Sequence, residues 1–296
     1  MSADRYALVG NPVAHSRSPQ IHARFAQQTG QAMRYELMPA PIDPPGAFEA
    51  QVRGFFRDGG RGMNVTVPFK RRALALVDRA TARAAAAGAV NTLLLERGAL
   101  VGDNTDGAGL VGDIVDRLGI DPRGAHVLLI GAGGAARGVV LPLFDAGVAR
   151  ITIANRTVAN ARRIVDDMAP VARTRLQAIG LDDMNRRGPV ADIVVNATSA
   201  SLARPDGRSA PADALALEPA IFGGCRLACD MVYGAAPSAF MRVARAAGVA
   251  TVADGLGMLV GQAAESFALW RGVRPDTGPV LAALRAALQG ADASGR

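Results

Sequence analysis

The stretch LLIGAGGAA, residues 128–136, decides the fold. Leu128-Leu129-Ile130 continues an apolar run from Val127 and reads as a buried strand. Gly131-Ala132-Gly133-Gly134-Ala135-Ala136 follows at once and opens a helix-like segment that stops near Gly147. Alone, a G-x-G-x-x-A pattern carries little. Between a strand and a helix it describes a phosphate-binding turn. Gly131 permits the tight turn, Gly133 lets the backbone approach a pyrophosphate, and the helix start offers free N–H groups and a positive dipole.

The next strand, RITIAN (150–155), selects among dinucleotides. NAD sites place Asp or Glu at its end to bond the ribose hydroxyls. Here the residues are Asn155-Arg156-Thr157. A guanidinium at that position suits a 2′-phosphate through charge-assisted hydrogen bonds, so the expected cofactor is NADP(H).

Outward in both directions, short apolar runs alternate with helix-like segments. That is the signature of an α/β protein with parallel sheets. RYALVGNP, MRYELMPA and GMNVTVP read as strands before the glycine turn, and ADIVVNATS and CRLACDMVY as buried strands after it. Ser18 and Pro19 open a helix as N-cap and first helical residue, and Gly30 closes it. AGAVNTLLLERGALVGDNTDG (87–107) reads as a hairpin turning near Arg97-Gly98. SAFMRVARAAG, LGMLVGQAAESFALWRG and Leu281–Gln289 read as helices, and the tail GADASGR as mobile.

Composition narrows the function. The chain has 296 residues, half of them hydrophobic, enough for one large domain or two ordinary ones. Its start lacks the charged and apolar regions of a signal peptide, and its apolar runs are too short to span a membrane. Cys225 and Cys229 lie too far apart along an extended run to bond each other, which fits a reduced, cytoplasmic setting. A net charge of +7 comes from Arg scattered among 26 acids, without a basic run interleaved with aromatics. Nucleic acid is therefore not an expected partner. Three histidines at 15, 22 and 126 share no ligand spacing, so no metal is expected.

A second constellation lies near the N-terminus. In NVTVPFK, alternation puts Asn64 and Thr66 on one face, with Val65 and Val67 toward the core. Lys70 falls in the first turn of the next helix. An amide, a hydroxyl and an ammonium thus gather at the C-terminal end of a strand, where open α/β sheets bind ligands. Ser16 and Ser18 add hydroxyls, and GDNTDG supplies Asp103 to Asp106 between glycines. The group suits a small, oxygen-rich ligand. Lys70 is also the chain's only lysine among 33 basic residues. Arg stays protonated in proteins, whereas Lys can give up a proton, so the exception marks a place where charge alone does not suffice.

Across nearly its whole length the sequence resembles the shikimate dehydrogenase family. The motifs are GNPVAHSRSPQIH, NVTVPFK, AGAVNT, GDNTDG, IGAGGAARG, NRT, NATS, DMVY and ADGLGMLVGQAA, in that order. The resemblance implies an NADP-linked enzyme interconverting 3-dehydroshikimate and shikimate. It also implies a substrate domain built from residues 1–106 plus 255–296, and a Rossmann NADP-binding domain from residues 107–254. Ser16 and Ser18 would hold the substrate carboxylate. Asn64, Thr66, Asn91 and Gln262 would bond its hydroxyls or orient the side chains that do. Lys70 and Asp106 would form the catalytic pair. Gly131, Gly133, Gly134 and Ala135 would line the pyrophosphate, and Asn155, Arg156 and Thr157 the adenosine phosphate. Tyr233 and the loop around Gly255 would approach the substrate or nicotinamide.

The sequence departs from the family pattern in three places: Asn160 where a second Arg is frequent, Ala200-Ser201 in place of Ser-Gly, and Ser238 in place of Thr. Two alternatives remain at this stage: a quinate or quinate/shikimate dehydrogenase using NAD or both cofactors, and a dinucleotide-sensing protein without chemistry. The expected partner is a small molecule, with the chain acting as a monomer or homodimer.

Overall fold

A computed structural model describes residues 3–188, 190–198 and 217–294. The chain divides into two compact units. One runs to Gly109 and takes up Leu259–Ala282; the other is Leu110–Met258 and the chain from Ala283 onward. The expected limits put all of 255–296 in the first domain. The difference has a local cause, because the Arg285 guanidinium pairs with both oxygens of Asp254 and ties the last helix to the second unit.

The first unit contains β1 (Asp4–Gly10), α1 (Ser18–Thr29), β2 (Met33–Pro39), α2 (Ala47–Arg57) and β3 (Gly60–Val65). It continues with α3 (Lys70–Leu76), β4 (Arg79–Ala80), α4 (Ala82–Ala87), β5 (Thr92–Glu96) and β6 (Ala99–Asp103), and α5 (Asp106–Gly112) leads out of it. The sheet order is β2-β1-β3-β5-β6-β4. β1 pairs parallel with β2 and β3, but β5 runs antiparallel to both β3 and β6. The sheet is therefore mixed, because the expected hairpin lies inside it. Arg97 and Gly98 turn that hairpin with φ of 52° and 87°, the double positive φ of a tight two-residue turn. Phe48 of α2 stacks on Phe69 ahead of α3, with centroids 4.5 Å apart.

The second unit contains β7 (His126–Ile130), α6 (Gly134–Asp145), β8 (Arg150–Asn155), α7 (Val158–Ala172), β9 (Leu176–Gly180) and α8 (Leu181–Arg187). After β10 (Ile193–Asn196) and β11 (Leu227–Asp230) come α9 (Ala239–Ala246) and β12 (Thr251–Ala253); α10 (Leu256–Arg271) then carries the chain back into the first unit, and α11 (Gly278–Ser294) returns it to the second. Its sheet is wholly parallel, in the order β12-β11-β10-β7-β8-β9. That is the doubly wound Rossmann arrangement, and the order reverses between β7 and β10. Val127 to Ile130 are fully buried, as a strand covered on both faces requires.

Several local expectations change. Ser18 is the first residue of α1, and Arg17 takes the cap position without a side-chain bond. Instead the Ser18 N–H donates to Ser16 Oγ at 3.2 Å. β3 ends at Val65, so alternation stops there and Val67 is 61% exposed rather than in the core. The tail continues α11 through Ser294. α2, α4, α8, β4 and β9 are additional to the elements expected from the sequence. Ser199 of NATS and the Ala200-Ser201 departure lie outside the described residues.

Candidate active site

Lys70 begins α3 and Asp106 begins α5. Lys70 Nζ donates to Asp106 Oδ2 at 2.6 Å. Asn91 Nδ2 donates to the other oxygen, Oδ1, at 2.8 Å, and the Asp106 N–H donates to Asn104 Oδ1 at 3.1 Å. A backbone bond from Val90 N–H to the Lys70 carbonyl, 2.9 Å, ties α3 to the segment carrying Asn91. The carboxylate is thus fixed on both oxygens, and the ammonium is held with part of its surface open. A partly exposed pair of this kind contributes little to stability; its value lies in geometry.

Behind the pair is a buried polar network. Asn64 Nδ2 lies 3.0 Å from Ser266 Oγ, 3.1 Å from Thr92 Oγ1 and 3.2 Å from the Asn91 carbonyl. Tyr35 donates its hydroxyl to Asn64 Oδ1 at 2.8 Å. Thr92 Oγ1 donates to Asn91 Oδ1 at 2.8 Å, and the Thr105 N–H donates to the same oxygen at 2.9 Å. Gln262 joins at the edge, its Oε1 3.5 Å from Thr105 Oγ1. Buried polar groups persist when their partners are present, and such networks fix side-chain orientation.

Ser16 and Ser18 approach each other, Oγ to Oγ, at 3.1 Å. Thr66 lies just past β3, where its N–H donates to the Val9 carbonyl and its methyl packs on Gly10. A Cβ at Gly10 would stand 2.3 Å from that methyl, so this close approach requires glycine. Asn64, Asn91, Lys70, Asp106 and Gln262 therefore form one connected cluster. Tyr35, Thr92 and Ser266 belong to it but were not anticipated. Ser266 follows Gln262 by four residues and shares its helix face, which was a readable signal. Tyr35 gave none, because its reach to Asn64 crosses β1.

In the second unit, Gly131 has φ 109°, and a Cβ there would lie 2.9 Å from Thr198 Cγ2. At Gly133 and Gly134 an added Cβ would meet nothing within 4 Å. α6 starts there with no side-chain cap and no acid in its first turn. The turn is an open cradle at a helix start, whose first N–H groups have no partner within the helix, and Ala136, fully buried, packs the helix onto the sheet. These residues fit the pyrophosphate of a dinucleotide. At the end of β8, Asn155 Nδ2 donates to the Thr157 carbonyl at 2.9 Å. Arg156 is exposed and makes no salt bridge among the described residues. Asn160 accepts from Arg163, which brings a second guanidinium to the first turns of α7.

Tyr233 follows β11 in the second unit. Its loop is anchored by Asp230, which accepts from Asn196 Nδ2 at 2.9 Å, from Val232 N–H at 3.0 Å and from Ser238 Oγ. Ser238 also caps α9 by accepting from Met241 N–H. Gly255 packs on the same loop: a Cβ there would lie 2.1 Å from the Met231 carbonyl oxygen. Among the described residues no helix is long and apolar enough to cross a membrane. Both cysteines are free and buried.

Fold and sites define a two-unit α/β protein of the dinucleotide-binding class, with an ammonium–carboxylate pair set among amides and hydroxyls. Family models for the shikimate dehydrogenase substrate binding domain, for shikimate/quinate 5-dehydrogenase and for the shikimate 5′-dehydrogenase C-terminal domain match residues 8–93, 114–206 and 255–285. A shikimate dehydrogenase (NADP(+)) from Aromatoleum aromaticum is 52% identical over 98% of this chain and 100% of its own. One from Alkalilimnicola ehrlichii is 53% identical over 95% and 98%. The structure of shikimate 5-dehydrogenase from Thermus thermophilus, in complex with NADP(H) and shikimate, superposes with a TM-score of 0.79 at 34% identity, covering 96% and 100% of the two chains. The chain belongs to the shikimate dehydrogenase family.

Proposed function

We propose that the protein catalyses the reversible NADPH-dependent reduction of 3-dehydroshikimate to shikimate, in chorismate and aromatic amino-acid biosynthesis. The observation that carries this reading is the Lys70–Asp106 pair, 2.6 Å apart and oriented by Asn91. The NADP(+) relatives and the Thermus complex with NADP(H) and shikimate support the same reaction.

Ser16 and Ser18 hold the substrate carboxylate, and Asn64, Thr66, Asn91 and Gln262 bond its hydroxyls or orient the groups that do. Lys70 donates a proton to the ketone oxygen as charge develops there, and takes it back in the reverse direction. Asp106 orients that ammonium and accepts from a substrate hydroxyl. NADPH, when bound, supplies the hydride to the carbonyl carbon. Gly131, Gly133, Gly134 and Ala135 line its pyrophosphate, while Asn155, Arg156 and Thr157 hold the adenosine phosphate. Tyr233 and Gly255 belong to the loops beside the nicotinamide or substrate. The unit containing Lys70 is the substrate domain and the Rossmann unit the cofactor domain. The enzyme acts in the cytoplasm on a small molecule, without nucleic acid or membrane, as a monomer or homodimer.

The test is NADPH absorbance followed with 3-dehydroshikimate, and the reverse reaction with shikimate and with quinate, each with NADP and NAD. Consumption of NADPH dependent on 3-dehydroshikimate is expected. A kcat/KM for quinate with NAD equal to or above that for shikimate with NADP would replace this reading.

A further inference from the structure

His22 in α1 is fully buried, and neither ring nitrogen has a hydrogen-bond partner among the described residues. Its ring lies flat on Tyr35, with centroids 4.3 Å apart and planes inclined by 9°. Phe25 closes one edge and Trp270 approaches another. Tyr35, pinned on this plate, reaches across β1 and donates to Asn64 Oδ1. Ser18 also interacts with the same phenol. Burial raises the Tyr35 phenol above its ordinary range and drives the His22 imidazole down to about 3. Both rings are therefore neutral at working pH, and the phenol keeps its proton to donate.

An asparagine amide can sit in either of two flipped orientations, and its hydrogen bonds decide which. The Asn91 carbonyl, 3.2 Å from Nδ2, can only accept, so it leaves one orientation, with Nδ2 toward Asn91, Thr92 and Ser266 and Oδ1 turned to a donor on the other side. Tyr35 is that donor. We propose that Tyr35 is a positioning residue for substrate binding, setting the amide of Asn64, and that His22 is the flat plate that holds Tyr35 in register. The inference rests on the reading of Asn64 as a substrate-binding residue.

Tyr35→Phe keeps the stacked ring and removes only the hydroxyl. It is expected to raise the KM for 3-dehydroshikimate about tenfold, the scale of a lost buried hydrogen bond, while kcat changes less than about threefold. The KM for NADPH should stay constant. His22→Leu removes the plate and should reproduce the KM effect; His22→Phe restores a flat ring and should not. In an Asn64→Ala background, Tyr35→Phe should add nothing, since both act through one amide. Should Tyr35→Phe leave the KM for 3-dehydroshikimate unchanged while Asn64→Ala raises it, the positioning role is wrong and the reading of Asn64 survives. An unchanged KM in Asn64→Ala itself overturns both.

Discussion

Lys70 Nζ lies 2.6 Å from Asp106 Oδ2, and the other oxygen of that carboxylate is held by Asn91. The pair is set for a compact ammonium. Lys70→Arg keeps the charge but substitutes a planar fork that does not release a proton. It is expected to lower kcat about 10²-fold or more, the scale of a general acid–base contribution, with the melting temperature little changed. Near-normal turnover in Lys70→Arg would remove Lys70 from proton transfer.

Arg156 is the exposed guanidinium at the end of β8. Charge-assisted hydrogen bonds contribute about 1.5–3 kcal/mol, so Arg156→Ala should raise the KM for NADPH roughly ten- to a hundredfold. The KM for NADH should hardly move. Equal effects on the two cofactors would count against a 2′-phosphate ligand.

The two glycines of the turn separate folding from binding. Gly131 has φ 109° and a close neighbour in Thr198, so Gly131→Ala should cost about 1–3 kcal/mol of stability. At Gly133 the added methyl enters open space. Gly133→Ala should melt like the parent yet raise the KM for NADPH about tenfold or more, the scale of one obstructing methylene. Thermal melts beside initial rates decide this.

Asp103 is buried beneath the site. Burial alone would raise its carboxyl, but hydrogen bonds from Arg83 and Thr81 outweigh this and hold it below 3.8. Its folded value is depressed, so its stabilisation is present above 3.8 and lost as pH falls through the lower folded value. Arg83→Met leaves a buried carboxylate without its cation, at a cost of about 3 kcal/mol at neutral pH. The destabilisation should shrink on acidification, as Asp103 takes up a proton. A pH-independent deficit in urea unfolding would refute the assignment.

His22 acts on the acid side as well. The unfolded chain protonates it near 6.5, whereas the folded protein resists until about 3. Across that window the unfolded state binds more protons, so stability rises with pH. His22→Phe should flatten the slope of unfolding free energy against pH between those limits by up to one proton. His126, lowered mainly by burial, keeps part of the slope in the variant. An unchanged slope would mean that His22 is not buried neutral.

Legibility in the sequence followed signal strength. β7 and the Gly131 turn were readable because Val127–Ile130 is a pure apolar run stopped by glycine. α2 carried a signal in Phe48, Val52, Phe55 and Phe56, whose spacing puts them on one buried face. α4 had none, being almost entirely alanine, with no contrast between faces. Lys70, Asn64 and Asp106 stood out through residue type and motif, whereas Thr92 and Tyr35 read as ordinary strand residues.

The sequence by itself determined the Rossmann turn, the absence of an acid at the end of β8, and the single lysine in a helix's first turn. Each is a property of neighbours along the chain. Tertiary structure alone decided that Asp106 meets Lys70, 36 positions away, and that Ser266 meets Asn64 across 202. Pairing of β3 with β5, and of β1 with β2 and β3, sets those meetings. Strand order is a contest among whole faces for burial, and no local pattern encodes which distant side chains it will bring within hydrogen-bond reach.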